Sequence, residues 1–336
     1  MHTEIRATWE NIMDSSMNRR SFVKSGLLGS AGLALALDSH AQDSSKPPTT
    51  PSTTKDTLPR GRIGKLEVSR LILGGNLLNH FTHSRDLQYV YRLAAQYNTD
   101  EKIMETLALA EKLGINTLTI HNPPHAISVL RRYRTERGGK IQWIVCPTAP
   151  VEPDLAKYRT HVEALMKDGC EAIYLWGVHA DSLVTAGKID LVARAVELPK
   201  EFGVPSGVGA HSLDVVKACE EHGVKADFYI KTFHHHSYPT APKTDEIKGA
   251  YNEFPGYWCA NPQETADVMK SVKKPWIAFK TMAAGAIPPK NAFRYAFKNG
   301  ADFVLAGMFD FEIAEDAQHA REAIASYNER DRPWVA

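Results

Sequence analysis

Long hydrophobic runs are scarce in this chain of 336 residues. The run from Gly26 to Leu37 is roughly a dozen residues, short of the about 20 that a bilayer-spanning helix needs. Charge of one sign is scarce too. Forty Lys and Arg face 39 Asp and Glu, for a formal net charge of +1 and no long basic run. That removes the electrostatic footprint expected of a nucleic-acid binder or of a protein held on an anionic membrane. Cysteine is sparse: Cys146, Cys170, Cys219 and Cys259 show no CxxC spacing. An exported protein is permitted a disulfide, but sequence does not reveal a pairing. Buried free thiols are expected at Cys170 and Cys219, which sit on apparent helices. No GxGxxG turn follows the first apolar strand pattern, which argues against a dinucleotide-binding open sheet.

What is present begins with Arg19-Arg20, followed by Ser21-Phe22-Val23-Lys24 and the short apolar run. Ser39-His40-Ala41 then places small residues where a signal peptidase reads them. A basic start, a weakly hydrophobic middle and such a site make an export signal. The paired arginines resemble the twin-arginine type, so residues 1–41 are expected to engage that export machinery. The mature protein is then expected in the periplasm or outside the cell, with no stable membrane anchor. Residues 42–58 are rich in Ser, Thr and Pro and read as a flexible tether. Residues 59–336 suit one large α/β domain.

That domain repeats one unit: a short apolar run, a polar turn, an amphipathic helix. Eight such runs occur, at Leu71–Gly75, Thr117–Ile120, Trp143–Val145, Ile173–Trp176, Ser206–Gly209, Phe228–Ile230, Trp276–Phe279 and Phe303–Ala306. Helical spacing marks Ile103–Leu113, Leu155–Met166 and Leu213–His222 between them. Gly114, Gly169, Gly203, Gly223 and Gly300 each stand where a helix should stop. Eight βα units in this length fit a (β/α)8 TIM barrel, with an open doubly wound sheet as the alternative.

In such a barrel the reacting groups lie just past the strands' C-terminal ends. The positions to examine are therefore Asn76, His121-Asn122, Cys146 to Thr148, His179, His211, Lys231 to His236, Lys280-Thr281 and Asp310. Two insertions fall on the same face. Residues 77–99 follow the first strand, and residues 234–262 follow the sixth. The second is long for a βα connection and reads as a lid or a substrate-binding loop. Asn76, Tyr238 and Trp258 are candidate substrate contacts, the aromatic pair suited to stacking on sugar faces.

Arg62 to Gly75, Ala110 to Thr117, Ile277 to Gly285, and Phe303 to Met308 with Glu315-Asp316 beyond, together resemble the aldo/keto reductases. The resemblance implies a (β/α)8 barrel and reduction of a carbonyl by a nicotinamide cofactor, NADP or NAD. It implies cofactor contacts at Ala284, Gly285, Gly307 and Met308. It also implies a catalytic Tyr supported by Asp, Lys and His. Only His179 falls where that His is expected. The stretch that should carry Asp and Tyr reads Thr119-Ile120-His121-Asn122-Pro123-Pro124-His125, and the third strand ends in Cys146 rather than Lys.

Three chemistries stay open at this point. A redox enzyme acting on a small polar carbonyl or polyol would place His179 and His121 near the reacting carbon. A metal-dependent lyase, isomerase or hydrolase would use His179, His211 and one or two of His234, His235 and His236 to hold Zn, Mn or Fe. A Schiff-base lyase would use Lys231 or Lys280, made nucleophilic by desolvation. A barrel that only binds a small ligand is the non-catalytic alternative. The elaborate loops on the presumed active face favour an enzyme.

Overall fold

The computed structural model describes residues 57–336 apart from Asp86, Pro255, Asn328 and Glu329. The expected export signal and nearly all of the expected tether lie outside the described residues. Leu58 corrects the tether's edge: it is 3% exposed and packs in the main core, so the folded domain starts before residue 59.

A two-stranded antiparallel hairpin comes first, β1 (Arg60–Ile63) and β2 (Leu66–Ser69), turning at Gly64 and Lys65. Eight strands follow: β3 (Leu71–Gly74), β4 (Thr117–His121), β5 (Gln142–Cys146), β6 (Ala172–Leu175), β7 (Ser206–Ala210), β8 (Phe228–Thr232), β9 (Trp276–Phe279) and β10 (Phe303–Ala306). Each pairs in parallel with its sequence neighbour, and β10 pairs with β3 to close the barrel. All eight runs read from the sequence are barrel strands. They are almost wholly buried because a closed parallel sheet is covered on both faces.

Ten α-helices lie among the described residues. They are α1 (Tyr89–Tyr97), α2 (Asp100–Lys112), α3 (Pro124–Arg137), α4 (Ala156–Lys167), α5 (Gly177–Thr185), α6 (Ile189–Lys200), α7 (Leu213–Glu221), α8 (Pro262–Ser271), α9 (Pro289–Lys298) and α10 (Asp310–Ala325). Local chemistry starts and stops them. Thr99 caps α2 by accepting from the Lys102 amide, and Ser212 caps α7 by accepting from the Asp214 amide. The five glycines expected to end helices all have positive φ, from +64° to +103°, the left-handed geometry of a helix stop.

The core has two shells. The larger lies between strands and helices and includes Leu73, Leu107, Val145, Trp143, Val216 and Phe293. The smaller fills the barrel itself with Ile72, Ile144, Tyr174, Phe228, Ile277 and Phe303, and Ile63 and Val68 of the hairpin plug it from below. With its lower end plugged and its interior packed, the barrel offers its cavities at the strands' C-terminal end. All four cysteines are free and buried. Cys219 lies on α7 as expected. Cys170 does not lie on a helix; it sits after α4, just before β6, where its thiol meets the carbonyls of Trp143 and Ala172.

Candidate active site

The strand ends open on a cavity of about 360 Å³ and an adjoining one of about 180 Å³. Asn76, Phe81, His83, His121, Tyr174, Phe279 and Lys280 line both, so the two form one continuous cup. His211, Trp176, Tyr251 and Glu253 close one side of it, and Ala284, Gly285, Gly307, Glu312 and Asp316 line the other.

Lys280 stands immediately after β9, in the left-handed region at φ +53°. Ala283 and Ala284 share that geometry, at φ +46° and +54°, before Gly285 at +83°. A run of left-handed non-glycine residues stores strain, and such strain clusters at functional sites. The Lys280 ammonium nitrogen lies 5.3 Å from the Trp258 ring centre, 5.7 Å from Phe279 and 5.8 Å from Tyr251. Desolvation in this aromatic setting lowers its pKa to about 7, although Glu253 and Asp181 pull it upward.

Two imidazole–carboxylate pairs flank the lysine. His211 Nδ1 lies 2.8 Å from Asp181, and His83 Nδ1 lies 2.8 Å from Glu253. Each carboxylate favours the tautomer with the proton on Nδ1. Among the described residues neither ring's Nε2 has a protein partner, so each keeps a lone pair free to take a proton. Burial keeps both rings below their ordinary pKa despite the carboxylates, with Lys280 adding to the depression. His121 is lowered to about 4, by burial first and then by His83 and Lys280. It is a neutral ring at physiological pH, packed edge-on against Trp176.

Several expected residues sit elsewhere, each for a physical reason. His179 is not at a strand end, because α5 starts at Gly177 immediately after Trp176 and carries it off as the third helical residue. It packs on Trp176 from outside the cup's lining, and its Nδ1 is buried without a partner among the described residues. Lys231 is wholly buried under the cup. Its ammonium nitrogen donates to the carbonyl and hydroxyl of Thr232, so it is no exposed nucleophile.

The expected metal ligands His234 and His236 are committed to bonds within the loop of residues 234–262. His234 Nε2 accepts from the amides of Trp258 at 3.0 Å and Cys259 at 3.2 Å, while its Nδ1 meets the His235 carbonyl. His236 Nε2 bonds the Cys259 carbonyl at 2.7 Å. Among the described residues no three His, Cys, Asp or Glu side chains gather as a ligand set for Zn, Mn or Fe. The Tyr238 hydroxyl donates to the Gly256 carbonyl inside the same loop, so it braces that loop. Asn76 and Trp258 do line the cup.

Of the expected cofactor contacts, Ala284, Gly285 and Gly307 line the larger cavity, and Met308 is core. A Cβ at Gly285 would meet nothing within 4 Å, so that turn is open to a ligand. The residues do not fit the 2′-phosphate of NADP. Lys280 is the one cation among the lining residues. Glu312 accepts the Phe309 amide at the start of α10, which fills with a carboxylate a place where a phosphate would bind. Asp310, in the same turn, pairs with Lys102 and Tyr97. A ribose hydroxyl, as in NAD, is compatible with such carboxylates.

Sequence reasoning missed Glu253 and Glu312 outright, and it took His83 only as part of the insertion of residues 77–99. Glu253 and His83 sit on long loops whose meeting point depends on tertiary packing.

No protein-family model matches the chain, and no curated protein matches it. Solved structures do. An assigned aldo-keto reductase from Pseudomonas aeruginosa is 16% identical, with a TM-score of 0.54 over 81% of this chain and 100% of that one. A second such structure from the same organism is 18% identical, with a TM-score of 0.53 over 80% and 98%. An aldo-keto reductase from Bacillus halodurans in its holo form is 12% identical, with a TM-score of 0.53 over 82% and 100%. At these identities the likeness is one of fold alone: this chain and those structures share a closed (β/α)8 barrel.

Proposed function

We propose that this protein is an enzyme that acts on a small polar carbonyl compound through an imine formed on Lys280. The observation that carries the reading is a lysine brought to about pKa 7 in an aromatic cage, within one cup that also holds His83, His121 and His211. About half of such an amine is neutral and nucleophilic at pH 7.

The chemistry follows from the groups present. The neutral Lys280 Nζ adds to the substrate carbonyl carbon, forming a C–N bond, and the oxygen gains a proton. Loss of that oxygen as water leaves a protonated imine. The imine draws electrons from the bond between the α and β carbons as His211, held by Asp181, takes the proton of the β-hydroxyl group. The bond breaks to an aldehyde or ketone and an enamine. The enamine carbon regains a proton, and water hydrolyses the imine to free the second carbonyl product and the lysine. The substrate class is a β-hydroxy carbonyl compound, sugar-like in its polarity. Positioned acid–base groups of this kind contribute about 10²–10⁴ in rate.

The test is borohydride trapping. The protein is incubated with small aldehydes, ketones and ketoses, reduced, and read by intact mass and peptide mapping. A stable adduct on Lys280, absent in Lys280→Met, supports the proposal. No adduct, or an equal adduct on other lysines in the variant, overturns it.

A nicotinamide oxidoreductase is the second reading, favoured by the barrel's likeness to aldo-keto reductases and by the open turn at Gly285. NAD would lie along Ala284, Gly285 and Gly307 with its ribose toward Glu312, and it would supply hydride at the cup. A saturable change in tryptophan fluorescence with NADH and none with NADPH would support it.

A further inference from the structure

Asp316 is a carboxylate without a counterpart. It lies on α10 at 3% exposure and lines the larger cavity beside Glu312. The described residues offer it no hydrogen bond and no ion pair. Buried carboxylates are ordinarily paired, because an unpaired charge loses its hydration with nothing in return. Asp302 shows the usual arrangement in the same chain: it is fully buried, but Arg332 bonds it at 2.7 Å and the Trp276 and Val335 amides donate to it.

From this we infer that the arm of the cavity between Gly285 and α10 is a subsite for a protonated amine, with Asp316 as its anchor. The reasoning is one of charge and of what surrounds it. Glu312 and Glu315 lie on the same helix and raise the negative potential at Asp316. Ala284, Gly285, Ile287 and Pro289, which line the same cavity, supply no cation. The carboxyl is accordingly held up at about 7, by burial first and then by those two neighbours, a value that a bound cation would bring down. A phosphate is repelled here. A neutral hydroxyl satisfies one lone pair and leaves the charge in place. An ammonium group satisfies both, as a buried charge-assisted pair.

This subsite rests on the Lys280 reading for the other end of the ligand. Together they name an amine-bearing polar carbonyl compound, with its carbonyl at Lys280 and its ammonium at Asp316. The amine end is tested without turnover, so the two ideas fail separately. Small primary amines and their alcohol isosteres (ethylamine and ethanol, glucosamine and glucose) are screened on the full chain by ligand-observed NMR, with adenosine as a third class. The same panel is run on Asp316→Asn and Asp181→Asn, each checked by thermal melting.

At least tenfold preference for the amines, lost in Asp316→Asn and kept in Asp181→Asn, is the expected result. Equal binding of amines and alcohols, a preference that survives in Asp316→Asn, or absence of amine binding overturns the subsite. Adenosine binding that depends on Asp316 also overturns it, in favour of a nucleoside. A melting temperature of Asp316→Asn at or above that of the parent is expected, since the carboxylate has no structural partner; a large drop assigns Asp316 a structural role instead.

Discussion

Asp181 holds His211 at two points: its carboxylate meets the ring Nδ1 at 2.8 Å and accepts the backbone amide of the same residue at 3.1 Å. It also accepts the Ser212 amide at 3.0 Å, so one side chain of α5 fixes both the ring and the turn that begins α7. Asp181→Asn should keep the fold, weaken it by about 1–3 kcal/mol for the altered buried bonds, and lower the basicity of His211. The ring's pKa, read by NMR titration, should fall below its value in the parent. Turnover of the compound that borohydride traps should fall by about 10²–10⁴ in kcat, with a smaller change in KM. An unchanged titration curve would remove Asp181 from the role assigned to it.

Lys280 gives a second prediction, on pH. A lysine with an ordinary pKa gains nucleophilicity up to about pH 10. Lys280, at about 7, should reach its full rate of imine formation near pH 8 and stay level above it. The measurement is the initial rate of borohydride-trappable adduct against pH. A rate that continues to climb to pH 10 would show that an exposed lysine reacts instead. Trp258→Ala opens the cage, returns water to the ammonium and should move the midpoint upward by one unit or more.

The lid provides a third. His234 is held at about 3 by burial, so it stays neutral through the physiological range and acts as a fixed acceptor for two amides. His234→Ala leaves the Trp258 and Cys259 amides buried without a partner, at about 1–3 kcal/mol each. Melting temperature should fall, and hydrogen exchange at residues 258 and 259 should quicken. Adding Zn, Mn or Fe salts should leave the parent's melting curve where it was. A metal-dependent rise in melting temperature, abolished by this substitution, would restore the metal reading.

The sequence carried the frame of this site better than its furniture. Strand positions were legible because parallel barrel strands are buried on both faces and read as short apolar runs between helices that stop at glycine. His121, His211 and Lys280 were legible for the same reason, since every strand opens toward one end. His179 was misplaced because nothing in Trp176-Gly177-Val178 announces a helix that starts at once. His234 and His236 were misread because a ring nitrogen that serves a backbone amide looks, in one dimension, like one that serves a metal. Glu253 lies 170 residues from His83 in the chain, and only the folding of both insertions over the cup brings them together. Met308 was carried by family likeness alone, and packing turned it inward.

Asp316 gives the last prediction, on stability. Its carboxyl is raised in the fold from the ordinary 3.8 to about 7, by burial first and then by Glu312 and Glu315. The sign follows from proton binding: between those values the folded protein holds the proton more tightly than the unfolded chain. Stability from this group is therefore full below about pH 4 and is lost as pH rises through 7. A shift of about three units would correspond to roughly 4 kcal/mol for a fully dry carboxyl, and water reaching Asp316 from the cavity screens this to about half or less. Urea unfolding of residues 57–336 from pH 4.5 to 8.5 should show a downward slope from Asp316 that Asp316→Asn removes. A bound ammonium ligand should reduce the same slope in the parent, because it stabilises the ionised carboxylate. Identical slopes in parent and variant would show that Asp316 is solvated in the free protein and would take away the charge imbalance on which its amine preference depends.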